Sequence, residues 1–510
     1  MTAAPQNIDS SARLALGSSI EHAAVVFALA AFAWLLVLHG AMVTTEAPME
    51  MRDGAMLATT AALLQGRNPY AIPGFIESGN VYGIGYPLVV VPFAWVLGPG
   101  FATHRLVAAF GILGAALIVF SWLRRAHVLR IDALLATGLV YAGFIYYTGA
   151  AARPDGVGVF LMLAAIEAMR RDDLGTRGYV GGLALSLLGF VCKIYFVWPA
   201  FAAAAYVFLC RDWRRGLVYG LAAIVATAAT IVTLSALLPG YAALVLLANI
   251  RASDYQLSYL LRQIGDWALF ELPLLAAGLV LLARALARGS RPNGRDIGLF
   301  AAMTVLSAIA LVFCLGGDTG AHLSYFFELL SPFATVAIMV SAARQPIALR
   351  VFRFALPVAV LLNAHWFPLD PRRFAAAEAT FAQLRTLIDG SRQVLASTEF
   401  AGVLALQDRP LTATGHARYF VYGFAGEPPF LLKPLLPPAS TLEAEWERHR
   451  GTIRRGIEQR RYDLALTDPA PGPLIPLDLL AERYRKEGAI TIDMPWALQT
   501  WPIQVWRPGN

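Results

Sequence analysis

The chain has 510 residues, 57% of them hydrophobic and only 15% charged, with a mean hydropathy of +0.57. Soluble domains run near a quarter charged, so so deep a deficit over this length excludes a single soluble core and calls for many apolar segments. The formal charge of +7 lies almost wholly on Arg, the lysines being Lys193, Lys433 and Lys486; the Arg residues fall in short clusters between apolar runs, a pattern that encodes membrane topology rather than nucleic-acid binding.

A mostly polar stretch precedes the first apolar run, His22 to Val43. That run exceeds the roughly 7–15-residue core of a cleaved signal, so it is expected to remain as the first span. A crossing helix takes about 20 apolar residues. Eleven such runs are expected, at 22–43, 101–123, 131–148, 155–169, 179–193, 195–210, 216–238, 267–284, 297–316, 323–342 and 351–366. The fourth to sixth are short, so either their ends are misplaced or they tilt in a thinned bilayer.

The connections alternate in charge. Arg124, Arg125 and Arg130, then Arg170 and Arg171, Arg211 to Arg215, Arg284 to Arg295, and Arg344 to Arg353 mark one side as cytoplasmic. The opposite side is acidic and aromatic and holds 44–100, 149–154, 239–266, 316–322 and everything beyond Trp366. The expected organisation is a polytopic α-helical membrane domain over 1–366, whose first extracytoplasmic loop is 44–100, and an extracytoplasmic α/β domain over 367–510. In the latter, short apolar runs (Val394 to Ser397, Tyr462 to Leu466, Ile503 to Trp506) flank an amphipathic helical stretch, Leu442 to Gln459. The three cysteines, Cys192, Cys210 and Cys314, lie in or beside apolar runs, so no disulfide staples this domain.

The first loop is too long for a plain connection. Thr44 or Thr45 is expected to cap a helix with Pro48 in its first turn, lying in the membrane interface and stopping at Gly66. Glu50 and Asp53, three residues apart on it, would share a face. Two such carboxylates suit a general base or a divalent-cation site, and equally suit a plain complement to the positive helix end. Ile84 to Leu97, with Tyr86 and Trp95, reads as a re-entrant or juxtamembrane helix. His104 and Arg105 follow at the mouth of the second span, where a lipid phosphate would partner the Arg, or the side chain would snorkel to headgroups.

Further polar residues fall on the same side. Asp155, after Arg153 and Pro154, opens the fourth span, and Lys193 ends the fifth. The loop holding Arg251, Asp254 and Tyr255 mixes charge and aromatics as carbohydrate or headgroup sites do. Asp318, His322 and Glu328 stand at the entrance of the tenth span, and a metal is a weaker reading of that trio. No P-loop, dinucleotide fingerprint, HExxH or nucleophile elbow occurs, so an outward-facing enzyme would need a preactivated substrate such as a lipid-linked donor.

Taken in order, EMRDGAMLATTAALLQGRNPY (50–70), GYPLVVVPFAWVLG (85–98), His104-Arg105, ARPDG (152–156), Lys193 and GGDTGAHLSYFFELL (316–330) resemble the GT-C glycosyltransferases. The likeness is to the bacterial branch with the lipid A aminoarabinose transferases and protein O-mannosyltransferases, and it covers nearly all of 20–366. The resemblance implies an enzyme of the bacterial inner membrane, N-terminus cytoplasmic, that moves a sugar from a polyprenyl-phosphate donor to an extracytoplasmic lipid, glycan or protein by in-line displacement. It implies Asp53 as base with Glu50 as alternative, and Asp155 as second acid. Lys193 and Arg105, with His104 and Arg251 beside them, become candidate donor-phosphate ligands, and Tyr86, Tyr255, Asp318, His322 and Glu328 candidate substrate contacts. The resemblance fixes no cofactor, a divalent metal ion being the one candidate. Many relatives carry two adjacent acids where Asp53 here follows Arg52. A transporter or polyprenyl-lipid flippase is the rival reading, although the polar groups cluster on one face instead of crossing the bilayer.

Overall fold

The computed structural model describes residues 8–49, 53–71, 73–78, 80–149, 151–247, 255–288, 295–318, 323–366, 370–396, 400–407, 409, 439–467, 475–494 and 499–509. Helix α1 (Ile8–Thr44) is followed in the first long loop by α2 (Asp53–Leu64), α3 (Phe75–Ser78) and α4 (Gly85–Leu97). Next come α5 (Phe101–Arg125), α6 (Arg130–Gly143) with a π-turn at Phe144–Gly149, α7 (Asp155–Arg171), α8 (Thr176–Cys192), α9 (Trp198–Cys210) and α10 (Trp213–Leu237). After these stand α11 (Leu257–Phe270), α12 (Leu272–Arg288), α13 (Arg295–Ala310), α14 (Ser324–Leu329), α15 (Ser331–Ala342) and α16 (Pro346–Trp366).

All the expected apolar runs are helical, but among the described residues only five helices are long and apolar enough to cross a membrane unaided: Glu21–Thr44, Phe101–Arg125, Trp213–Leu237, Ile297–Leu315 and Pro346–Asn363. The other runs are shorter helices. The eighth is not one rod: α11 and α12 meet at Glu271 with a bend of 86°, and count as a sixth span when taken together. Pro273 explains the break, since it lacks an N–H and its ring clashes with the carbonyl four residues back. Pro332 opens α15 in the same way.

The C-terminal segment is α/β, as its pattern predicts. Its elements are α17 (Pro371–Asp389), β1 (Val394–Ala396), α18 (Ala401–Leu406), α19 (Ala439–Glu458), β2 (Leu464–Thr467), α20 (Leu477–Arg483), β3 (Tyr484–Met494) and β4 (Gln499–Pro508). The sheet runs β1-β2-β4-β3. β1 lies parallel to β2 with Val394 opposite Leu464, and β4 is antiparallel to both β2 and β3.

The chain forms two compact units. One holds Met1–Val37, Ala116–Tyr147 and Gln256–Pro368. In it the Arg353 fork grips both oxygens of Asp132 at 2.8 and 2.9 Å, tying α16 to α6, and Phe327 stacks on Tyr147 at 4.5 Å. The other holds Leu38–Ala115, Thr148–Tyr255 and Leu369–Asn510. Here loop one and the C-terminal segment share continuous apolar clusters, such as Leu57 and Phe101 with Phe381, Val403 and Ile503.

That packing corrects the reading of α2. The helix starts at Asp53, later than expected, because the Thr44 and Thr45 hydroxyls turn back to the Gly40 and Ala41 carbonyls in the last turn of α1. Nor does it lie in an interface: every residue from Asp53 to Ala62 is buried. Gly54 and Gly402 permit this, since a Cβ at Gly402 would stand 2.7 Å from Leu57 Cβ and 3.0 Å from the Gly54 carbonyl. The stop at Gly66 (φ +67°) is as expected.

In the same unit α5 and α7 cross on bare backbone. A Cβ on Gly111 would stand 2.4 Å from the Gly156 carbonyl oxygen, the close approach that small residues permit between membrane helices. Gly111→Leu is therefore expected to overpack the crossing, destabilise the protein by about 1–3 kcal/mol, and lower the thermal unfolding midpoint in detergent. An unchanged midpoint would count against this contact.

Candidate functional site

Loop one is pinned from inside by one ion pair. Asp53 opens α2, where a carboxylate complements the positive helix end. Its Oδ2 accepts from Arg105 Nη2 at 2.8 Å and from the Met49 N–H at 3.1 Å, and its Oδ1 accepts from the Ala152 N–H at 2.9 Å. The Arg105 guanidinium also donates to the Thr45 carbonyl and, at 2.8 Å, to the Ala47 carbonyl. Both side chains are at most 1% exposed. Arg105 thus lies inside the protein, holding the entry to α2, and not at a lipid-facing mouth.

His104 faces inward beside it. Its Nδ1 is 2.7 Å from the Gly100 carbonyl, which can only accept, so Nδ1 carries the proton and Nε2, 2.8 Å away, takes the Thr60 hydroxyl. Tyr86 is buried on α4 and donates to the His104 carbonyl at 2.6 Å. These two residues brace the N-terminal turn of α5.

The second cluster is built on Asp155, the first residue of α7. Lys193 Nζ lies 2.6 Å from its Oδ1, and Arg153 Nε 3.2 Å from its Oδ2. Tyr82 covers the pair: its ring centroid is 5.2 Å from Lys193 Nζ, and its hydroxyl accepts from Arg153 Nη2 at 3.2 Å. Tyr195 adds a second ring 4.8 Å from Lys193 Nζ. Among the described residues, two cations here face one carboxylate, at the positive end of a helix. Because Asp53 bonds the Ala152 N–H, only three residues separate the two clusters along the chain, roughly 10 Å at full extension.

Lys193 reaches this point because two glycines let the chain close on it. The Gly83 N–H donates to the Cys192 carbonyl at 3.1 Å. A Cβ there would fall 1.9 Å from the Val191 oxygen, and one at Gly85 would fall 2.9 Å from Cys192 Sγ. Lys193 then leaves α8 in extended backbone, φ −157°. Reading the sequence for acids and bases found Asp155 and Lys193 but assigned nothing to Arg153, Tyr82, Tyr195 or Gly83. The Gly83-x-Gly85 spacing next to an aromatic was the available signal.

Glu50, Arg251 and His322 lie outside the described residues. Tyr255 is 45% exposed, Asp318 is half-buried, and Glu328 is fully buried on α14. Among the described residues no three His, Cys, Asp or Glu side chains are grouped to hold a metal ion.

No family model matches the chain, and no curated protein matches it in sequence. Solved structures match in fold, among them two of one protein. The crystal structure of ArnT from Cupriavidus metallidurans bound to undecaprenyl phosphate is 13% identical, with a TM-score of 0.58 over 93% of this chain and 97% of that one. The apo structure of the same protein gives 13% identity and a TM-score of 0.59 over 95% and 98%. The chain therefore has a GT-C-like fold, polytopic and helical with a C-terminal α/β segment.

The buried pair makes a sharp stability prediction. Asp53→Leu or Arg105→Met alone strands a buried charge and should cost about 3–5 kcal/mol. The double variant should recover much of that loss in thermal unfolding midpoint. Losses that simply add would show that the two residues are not coupled.

Proposed function

We propose that this protein is a membrane glycosyltransferase that uses a polyprenyl-phosphate-linked sugar and works on the extracytoplasmic face of a bacterial inner membrane. The observation that carries the reading is the Asp155 cluster, where Lys193 and Arg153 converge under Tyr82 at a helix N-terminus. A fold shared with a structure that holds undecaprenyl phosphate supports the same ligand chemistry.

The reaction would run as follows. An acceptor hydroxyl attacks the anomeric carbon in line while the bond from that carbon to the phosphate oxygen breaks, and a carboxylate takes the hydroxyl proton. The donor phosphodiester carries one negative charge, and the departing lipid phosphate carries a second as it leaves. Cations placed at that phosphate hold the transition state more tightly than the ground state, which is what accelerates a reaction. Lys193 and Arg153 take this role, and Asp155 holds the two cations together.

Asp53 is the proposed base, with Glu50 as alternative. Asp53 accepts three hydrogen bonds, two on Oδ2 and one on Oδ1, so both of its oxygens are already engaged. Acceptor binding must therefore draw it from at least one of them. Arg105 then serves as the residue that positions Asp53, in place of a direct contact to donor phosphate.

The test uses membranes given a labelled polyprenyl-phosphate sugar, with expression matched. Lys193→Gln is expected to lower transfer about 10²–10³-fold, and Asp53→Asn about 10²–10⁴-fold. Wild-type transfer in Asp53→Asn, Asp155→Asn and Lys193→Gln alike would overturn the assignment. Movement of lipid between leaflets with no transfer by the wild type would favour a flippase.

A further inference from the structure

A cavity of about 240 Å³ opens in the unit that carries Asp53, lined by Glu46, Leu57, Phe101, Phe381, Arg385 and Gln407 among others. Drug-sized ligands occupy roughly 300–1,000 Å³, while one water takes about 30 Å³, so this space suits one small ring. Its place is specific. Leu57 sits one turn beyond Asp53 on α2, about 6 Å along the axis. The 45–47 strand divides the two sites: Arg105 binds the Thr45 and Ala47 carbonyls on one side, and the Glu46 side chain lines the cavity on the other.

The polar groups of the cavity are only partly used. Gln407 Nε2 donates to Asp389 Oδ1 at 2.7 Å, which fixes the orientation of the amide, since a carboxylate can only accept. Its Oε1 is then left buried with no hydrogen-bond partner among the described residues. Such an atom costs about 1–3 kcal/mol when unmet. Arg385, one turn after Phe381 on α17, is exposed and has no hydrogen-bond or ion-pair partner among the described residues. Glu46 offers a carboxylate beside the first N–H of α5, accepting from Phe101 at 3.3 Å. Phe101 and Phe381 meet edge to face at 6.4 Å.

We infer that this cavity is a carbohydrate subsite that holds one pyranose unit of the acceptor. Sugar hydroxyls supply the donor that Gln407 Oε1 lacks and further donors to the Glu46 carboxylate, Arg385 supplies a donor fork to ring or glycosidic oxygens, and the phenyl rings pack against the C–H face. The assignment to the acceptor rests on the proposed transfer reaction, whereas the pocket's taste for sugar does not. A glycan or glycolipid would then be the acceptor class, with the hydroxyl that reacts about one sugar away from the bound ring.

The experiment uses the full chain purified in detergent, without donor, and saturation-transfer NMR with methyl glucoside, methyl galactoside and methyl mannoside. At least one of these is expected to bind wild type and to lose about fivefold or more in affinity in Gln407→Ala and in Arg385→Ala, with unfolding midpoints unchanged. No binding by any of the three, equal binding by the variants, or displacement of the sugar by inorganic phosphate would each overturn the inference. In the transfer assay, Gln407→Ala should raise acceptor KM about fivefold and leave kcat within about twofold. A wild type that binds sugar yet transfers nothing would sink the proposed reaction and leave the carbohydrate site standing.

Discussion

A guanidinium enclosed in protein needs fixed acceptors for its donors, and Arg105 finds them for both Nη groups in loop one, while its buried Nε has no hydrogen-bond partner among the described residues. Two carbonyls, Thr45 and Ala47, and the Asp53 carboxylate are arranged around it. Desolvating an isolated charge is too expensive to tolerate, so where Arg105 goes the 45–53 stretch must follow. The start of α2, the seat of Asp53 and the contact of that carboxylate with the Ala152 N–H all derive from this one constraint. Through Ala152 it reaches the chain that carries Arg153 and Asp155.

The second cluster is placed by a different means. Lys193 is positioned by absence of side chain, at Gly83 and Gly85, which lets the end of α8 close on the backbone of loop one. Tyr82 then lies against two cations that would otherwise repel, giving each an electron-rich face. A charge pair positions Asp53, the proposed base, and a pair of glycines positions Lys193, the proposed phosphate ligand. Errors in the two are therefore separable: a wrong charge unsettles the first cluster, and an added methyl group unsettles the second.

Much of the fold was legible because its signals are local. Apolar length marked the helices, Gly66 marked the end of α2, and the runs at Val394, Leu464 and Ile503 marked strands of the sheet. Pro154 before Asp155 marked the start of α7. What escaped depends on partners far away in sequence. Nothing near Arg105 says that its ligand is Asp53, 52 residues back, so position alone suggested a lipid phosphate. Likewise, the mixed faces of α2 suggested an interface, because its cover, α18, begins more than 330 residues later. The break at Glu271 was a misreading of a visible signal, Pro273.

That cover has a consequence for how the protein is made. Helix α2 leaves the ribosome early, but Gly402 and the helix that carries it are synthesised about 340 residues later. At roughly 5–20 residues per second the wait is tens of seconds, far longer than a helix needs to form. Throughout that time the face that will seat against α18 has no partner, and the nascent chain must keep that face covered by other means until α18 is made.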